Sequence, residues 1–128
     1  MTQEGSDPTS WPREEVVRAF RKMWDPFPAR VLLLTKDRTI RAANAMALET
    51  GVKVGTKCFQ LTGADDIHAA CQANAALVEQ QTKRSVGLYG ERFLDSYWLP
   101  VPGETDLYIH FAIDITKWAD PALMTKRE

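Results

Sequence analysis

The sequence predicts an α+β domain, a five-stranded antiparallel sheet with short helices and one longer helix on one face, preceded by an N-terminal amphipathic helix. Three observations predict it. Apolar residues recur at helical spacing from Val16 to Trp24. Hydrophobicity then switches to short runs divided by polar turns. Near the end, Leu107, Ile109, Phe111, Ile113 and Ile115 alternate with Tyr108, His110, Ala112, Asp114 and Thr116, the period of a strand.

Residues 1–11 are mostly small and polar and read as a disordered tail. Pro12 fits a first helical position, with Ser10 or Thr9 as its cap. Val16, Val17, Phe20, Met23 and Trp24 then form one stripe, and Asp25-Pro26 and Pro28 stop the helix. The flanking helix therefore occupies 12–26 and the main domain 27–118, with the start of a C-terminal linker at 119–128.

Val31 to Thr35 is a continuous apolar run, expected to be a strand covered on both faces. Lys36-Asp37-Arg38 turns the chain, and Thr39 to Ala43 pairs back. Asn44 opens a short helix from Ala45 to Glu49 that ends at Thr50-Gly51. Val52 to Thr62 reads as irregular turns. Asp65 or Asp66 caps the longer helix, Ile67 to about Gln81. At about 100° per residue Ile67, Cys71, Asn74 and Val78 share one face of it. Ser85–Tyr89, Arg92–Val101 and Asp106–Thr116 are the last three strands, with turns at Gly90-Glu91 and Pro102-Gly103-Glu104.

Composition removes several function classes. The chain has 128 residues, 45% hydrophobic and 26% charged, typical of a globular domain. Sixteen Lys and Arg against seventeen Asp and Glu leave a formal charge of −1, with no basic excess to hold nucleic acid. No apolar run exceeds four residues, so no transmembrane helix or signal peptide is expected and the domain is read as cytoplasmic. Cys58 and Cys71 are too few for a disulfide scaffold or a thiolate zinc site.

Over roughly residues 28–118 the order of elements resembles the PAS domain, a sensor module. Val31-Leu32-Leu33-Leu34, the Asp37 turn and Ile40 to Asn44 look like the first PAS hairpin. Gly51 and Gly55 fall where the family places its short helices. Ala112-Ile113-Asp114-Ile115-Thr116 resembles the Asp-Ile-Thr signature that closes many PAS cores. The resemblance implies that Asp114, Ile115 and Thr116 couple the sheet to a following effector. The turn after Asp37 departs from the pattern, because it lacks the usual Gly.

Gly55-Thr56-Lys57-Cys58 invites comparison with the flavin-binding motif of light-sensing LOV members. Lys57 replaces its Asn and Phe59 its flavin-phosphate Arg, so Cys58 is expected to be packing. Haem-binding PAS sensors take an axial His from the long helix, where His68 lies. His68 sits on the flank of the apolar face beside the Asp65-Asp66 cap, which favours a solvated or capping role. No metal, haem or flavin is expected. His110 should meet water or the N-terminal helix.

The inward face of the longer helix should oppose the aliphatic face of the last strand and the aromatics from Phe93 to Trp98. That defines pocket candidates Asn74, Cys71, Trp98 and Asn44, suited to a small apolar or planar ligand. Asn74 is the odd polar residue at the centre of that face. Val16, Val17, Phe20, Met23 and Trp24 are candidates for a homodimer interface, since such residue types populate interface cores. No catalytic set is visible.

The expected function is a non-catalytic sensory domain of a signal-transduction protein, such as a two-component kinase, a cyclase or a transcription regulator. It would bind a small ligand or dimerise, as an excised piece of a longer chain with a downstream effector. The alternatives are a small α+β cone-fold enzyme of the isomerase or dehydratase kind, and a ligand-free protein-interaction module.

Overall fold

The computed structural model describes residues 11–63, 66–67, 71–120 and 122. The first helix, α1, runs from Glu14 to Trp24. It starts two residues later than Pro12, and the Thr9 and Ser10 cap candidates lie outside the described residues. Arg13 takes the N-cap position in extended backbone without a side-chain cap. The residues before the helix are used elsewhere. Trp11, expected at the end of the tail, packs into the core under α1. Arg13 grips Glu104 through two hydrogen bonds of 3.1 and 3.0 Å. Glu14 and Glu15 then suit the positive end of the helix dipole.

Strand β1 (Val31–Thr35) pairs antiparallel with β2 (Ile40–Ala43). Thr39 falls outside β2 and bridges Lys57 instead. Helix α2 (Ala45–Glu49) starts at Asn44, whose side chain accepts from the Ala47 N–H. Cys58–Thr62, expected as irregular turns, forms a 3-10 helix. Helix α3 is shorter than the sequence suggests, Ala73–Glu79, because neither Ile67 nor Cys71 belongs to it. Strands β3 (Lys83–Tyr89), β4 (Arg92–Pro100) and β5 (Leu107–Asp114) complete the sheet. Gly90, at φ 64°, makes the tight β3–β4 turn in a conformation that disfavours side chains. All pairings are antiparallel, in the order β2-β1-β5-β4-β3.

Two cores sandwich the sheet. On one face, Phe20 of α1 packs over Val31, Leu33, Ala42, Leu107 and Phe111. On the other, Ala47, Ala73, Ala76 and Leu77 close over Leu32, Leu34, Ile40, Trp98 and Tyr108. Interior strand β1 feeds both, which is why all five of its residues are buried.

The arrangement reverses one expectation. The aliphatic face of β5 meets α1, and α3 meets Trp98 and Tyr108. Strand alternation fixes which residues share a face, but it does not say which helix covers that face. The inward side of α3 is reversed for a related reason. Its phase follows Ala73, Ala76 and Leu77, an i, i+3, i+4 triple, whereas Val78 is 79% exposed and Asn74 is exposed.

Candidate functional site

The chemistry gathers at the end of the sheet where β1 turns into β2. Asp37 shapes the turn: its Oδ1 accepts from Thr35 Oγ1 at 2.7 Å and from the Thr39 N–H at 3.0 Å. Lys57 lies 3.3 Å from its other oxygen. Burial works against the ionised carboxylate, but these hydrogen bonds outweigh it and hold Asp37 well below the usual carboxylate range.

Arg38 follows with φ 73°, at the turn where the expected Gly is missing. A side chain in this left-handed region costs about 1 kcal/mol. The Arg38 side chain is nevertheless folded inward, only 2% exposed. Its Nη1 donates to the Lys36 carbonyl and to Asn74 Oδ1, the latter at 3.2 Å. Its Nε has no hydrogen-bond partner among the described residues, and neither does the hydroxyl of Tyr108, 1% exposed. Burial chiefly raises the Tyr108 hydroxyl above its ordinary value, so it stays a protonated donor.

Cys58 and Cys71 pack against the same core as Tyr108. Burial, reinforced by neighbouring Cys71, pushes the Cys58 thiol up to about 11. A thiol so shifted is a poor nucleophile at neutral pH. Lys57 is held by the Asp37 carbonyl at 3.0 Å and Thr39 Oγ1 at 2.9 Å. The Lys57-Cys58 pair therefore does not fit the flavin-adduct role. Beside Arg38 opens a cleft of about 470 Å³, lined by residues including Lys36, Asp37, Arg41, Asn74 and Asp106.

The four pocket candidates separate. Asn74 lines this cleft from the exposed start of α3 and is not a buried core amide. Cys71 is half-buried at the core's edge. Trp98, 5% exposed, stacks on His110 with ring centroids 4.8 Å apart and planes 14° from parallel. They are direct cross-strand partners, so His110 meets Trp98 rather than α1. Its Nδ1–H also donates to the Tyr97 carbonyl at 2.8 Å. Asn44 is fully buried and its amide is engaged by four backbone groups.

His68, and Asp65 with it, lie outside the described residues. Among the described residues no group of three or more His, Cys, Asp or Glu is placed to hold a metal ion. Among them, too, no helix is long and apolar enough to cross a membrane.

At the opposite end of β5, Asp114 Oδ1 accepts from the Thr116 N–H at 3.0 Å and from its hydroxyl at 2.6 Å. Thr116 Oγ1 accepts from the Phe93 N–H at 2.7 Å, and the Ile115 N–H donates to the Phe93 carbonyl at 2.8 Å. These bonds clip the exit of the chain to the start of β4. Beyond them, the Trp118 and Ala119 N–H groups turn back onto the Ile115 carbonyl.

Of the interface candidates, Val16, Val17, Phe20 and Trp24 lie on the protein's own sheet. Trp24 meets Phe111 at 5.7 Å and Phe27 at 5.4 Å between ring centroids. Met23 alone of the five points outward, 73% exposed.

Sequence reasoning passed over Arg38 and Tyr108. The missing Gly after Asp37 was the available signal, since that turn needs a left-handed residue.

With sheet, helices and exit clip in view, the chain has a PAS fold. A domain of an HTR-like protein from Haloarcula marismortui is 28% identical, with a TM-score of 0.52 over 70% of this chain and 99% of that one. A sensory box sensor histidine kinase from Vibrio cholerae is 12% identical, with a TM-score of 0.57 over 83% of this chain and 98% of that one. The PAS domain of BvgS from Bordetella pertussis is 18% identical, with a TM-score of 0.53 over 84% and 90%. No protein-family model matches the chain, and no curated protein does. The similarity to these structures shows the fold.

Proposed function

We propose that this domain senses a small molecule and passes its state through Asp114, Ile115 and Thr116 to an effector, without catalysis of its own. The observation that carries the reading is the double clip of Ile115 and Thr116 onto Phe93. It couples the chain leaving β5 directly to β4, so a shift of the sheet would be felt in the exit segment. A sensor histidine kinase among the structural neighbours supports the same reading. The output would be that of a two-component kinase or a transcription regulator in the cytoplasm. Homodimerisation belongs to the proposal, with Met23 as the exposed contact of α1. The ligand would contact Asn74 and Cys71 rather than the engaged Asn44 or the stacked Trp98.

The test is a fusion of the chain to a reporter histidine kinase whose own sensor has been removed. Thr116→Val and Asp114→Ala should each change autophosphorylation by about threefold or more while leaving the domain folded, because Thr116→Val removes the oxygen that accepts the Phe93 N–H and Asp114→Ala frees the Thr116 hydroxyl that makes that bond. Unchanged output in both variants would reject the reading.

A further inference from the structure

We propose that the cleft beside the β1–β2 turn binds a small carboxylate anion, with the Arg38 guanidinium as its counter-ion. The inference deepens the sensory reading above and rests on it.

Arg38 lines the cleft, yet is 2% exposed. A guanidinium is a charge, and a buried charge is costly unless it is paired. Among the described residues Arg38 belongs to no ion pair. Its partners are neutral, the Lys36 carbonyl and Asn74 Oδ1, and its Nε has none. The backbone adds a second cost, since φ 73° strains any residue with a β-carbon. Two unfavourable features at one residue mark a side chain kept for what it recognises.

The surroundings favour an anion. Lys36 and Arg41 line the same cleft and add positive charge. Arg41 Nε donates to a neutral oxygen, Thr35 Oγ1, at 3.1 Å. The two lining carboxylates are already engaged, Asp37 by Thr35, Thr39 and Lys57, and Asp106 by the Lys36 N–H at 3.2 Å. Their presence disfavours a doubly charged guest such as phosphate. A singly charged, planar carboxylate matches the guanidinium fork, which presents parallel N–H donors.

The test measures the melting temperature and affinity of the whole chain with sodium acetate, sodium benzoate or inorganic phosphate, at constant ionic strength against sodium chloride. Acetate or benzoate should raise the melting temperature of the wild type, and phosphate should not. Arg38→Gly should melt at or above the wild type without any probe, because Gly takes this φ freely and the buried charge is gone. It should lose about tenfold or more in carboxylate affinity. Arg38→Lys, which keeps the charge without the fork, should retain part of the affinity.

Any one of three results overturns the inference: no response to either carboxylate, a response to phosphate alone, or undiminished binding in Arg38→Gly. A marked loss of stability in probe-free Arg38→Gly would also overturn it, because the guanidinium would then be a brace for the turn. If carboxylates do not bind but the reporter fusion still responds to Thr116→Val, only this inference falls. If carboxylates bind and the fusion ignores both exit substitutions, the sensory reading falls instead.

Discussion

The Asn44 amide nitrogen donates to the Trp24 carbonyl at 3.0 Å, tying the end of α1 to the corner between β2 and α2. The same nitrogen donates to the Ala29 carbonyl at 2.9 Å. Its Oδ1 accepts from the Val31 N–H at 2.9 Å and the Ala47 N–H at 3.1 Å. One side chain with no solvent exposure thus satisfies backbone groups in four parts of the fold.

Asn44→Ala would strip all four groups of their partner, and buried polar groups left unpaired cost about 1–3 kcal/mol each. Some relaxation is expected, so urea unfolding should show a loss of about 3 kcal/mol or more. Asn44→Asp should be comparably damaging, because a carboxylate would face the Trp24 and Ala29 carbonyls. A loss below about 1 kcal/mol in both variants would show that the node is not structural.

Trp24 and Met23 are adjacent on α1 but have opposite surroundings. Trp24 packs among Phe27, Phe111 and the outer-face core, whereas Met23 is 73% exposed. Trp24→Ala should therefore destabilise the monomer fold by about 3 kcal/mol, as large-to-small core substitutions do. Met23→Glu should leave the unfolding midpoint nearly unchanged and instead shift any dimer towards monomer in light scattering. If Trp24→Ala weakened a dimer without lowering stability, the stripe would be an interface rather than a cover for the sheet.

Cys58 is expected to resist alkylation. Its thiol is pushed from 9.0 to about 11, chiefly by burial, so its thiolate population at pH 8 is about a hundredfold below that of an ordinary cysteine. Iodoacetamide labelling followed by peptide mass spectrometry should show Cys58 modified slowly in the native protein and quickly in urea. Equal rates in both states would mean that the thiol is not shielded by the core.

The sequence makes the sheet legible because strands announce themselves through burial on one or two faces. Val31 to Thr35 reads as doubly covered and is, and Asn44 is the kind of residue that caps a short helix. Helix α3 is harder. Ile67 and Cys71 lie close before it and share a helical phase with Asn74 and Val78, yet neither belongs to the helix. Removing them leaves Ala73, Ala76 and Leu77, whose small size gives a weak amphipathic signal. The pairing of sheet faces with helices depends on contacts between distant segments, which alternation cannot encode. Arg38 is least legible, because an arginine in a polar turn ordinarily points to solvent; only its burial and positive φ distinguish it.

The Asp37 carboxylate gives the turn a pH dependence whose sign can be worked out. Burial alone would raise its value, but the Thr35 hydroxyl, the Thr39 N–H and Lys57 together hold it well below the ordinary 3.8. The folded protein thus prefers the ionised form more strongly than the unfolded chain does. The stabilisation is fully present above the unfolded value, at about pH 5 and higher, and is lost as pH falls below about 4 towards the folded value. The side chain is 56% exposed, so screening keeps the effect to about 1 kcal/mol. Asp37→Asn keeps the shape of the side chain but has no carboxylate to titrate. The gap in unfolding free energy between wild type and variant should be constant from about pH 7 to 5 and should narrow by about pH 3. Asp25, Glu104 and Asp114 are also held low by their partners, so both proteins should weaken in acid; the shrinking difference is what reports Asp37. A gap that stays constant through about pH 3 would mean that the Thr35 and Thr39 hydrogen bonds do not favour the ionised carboxylate over its protonated form.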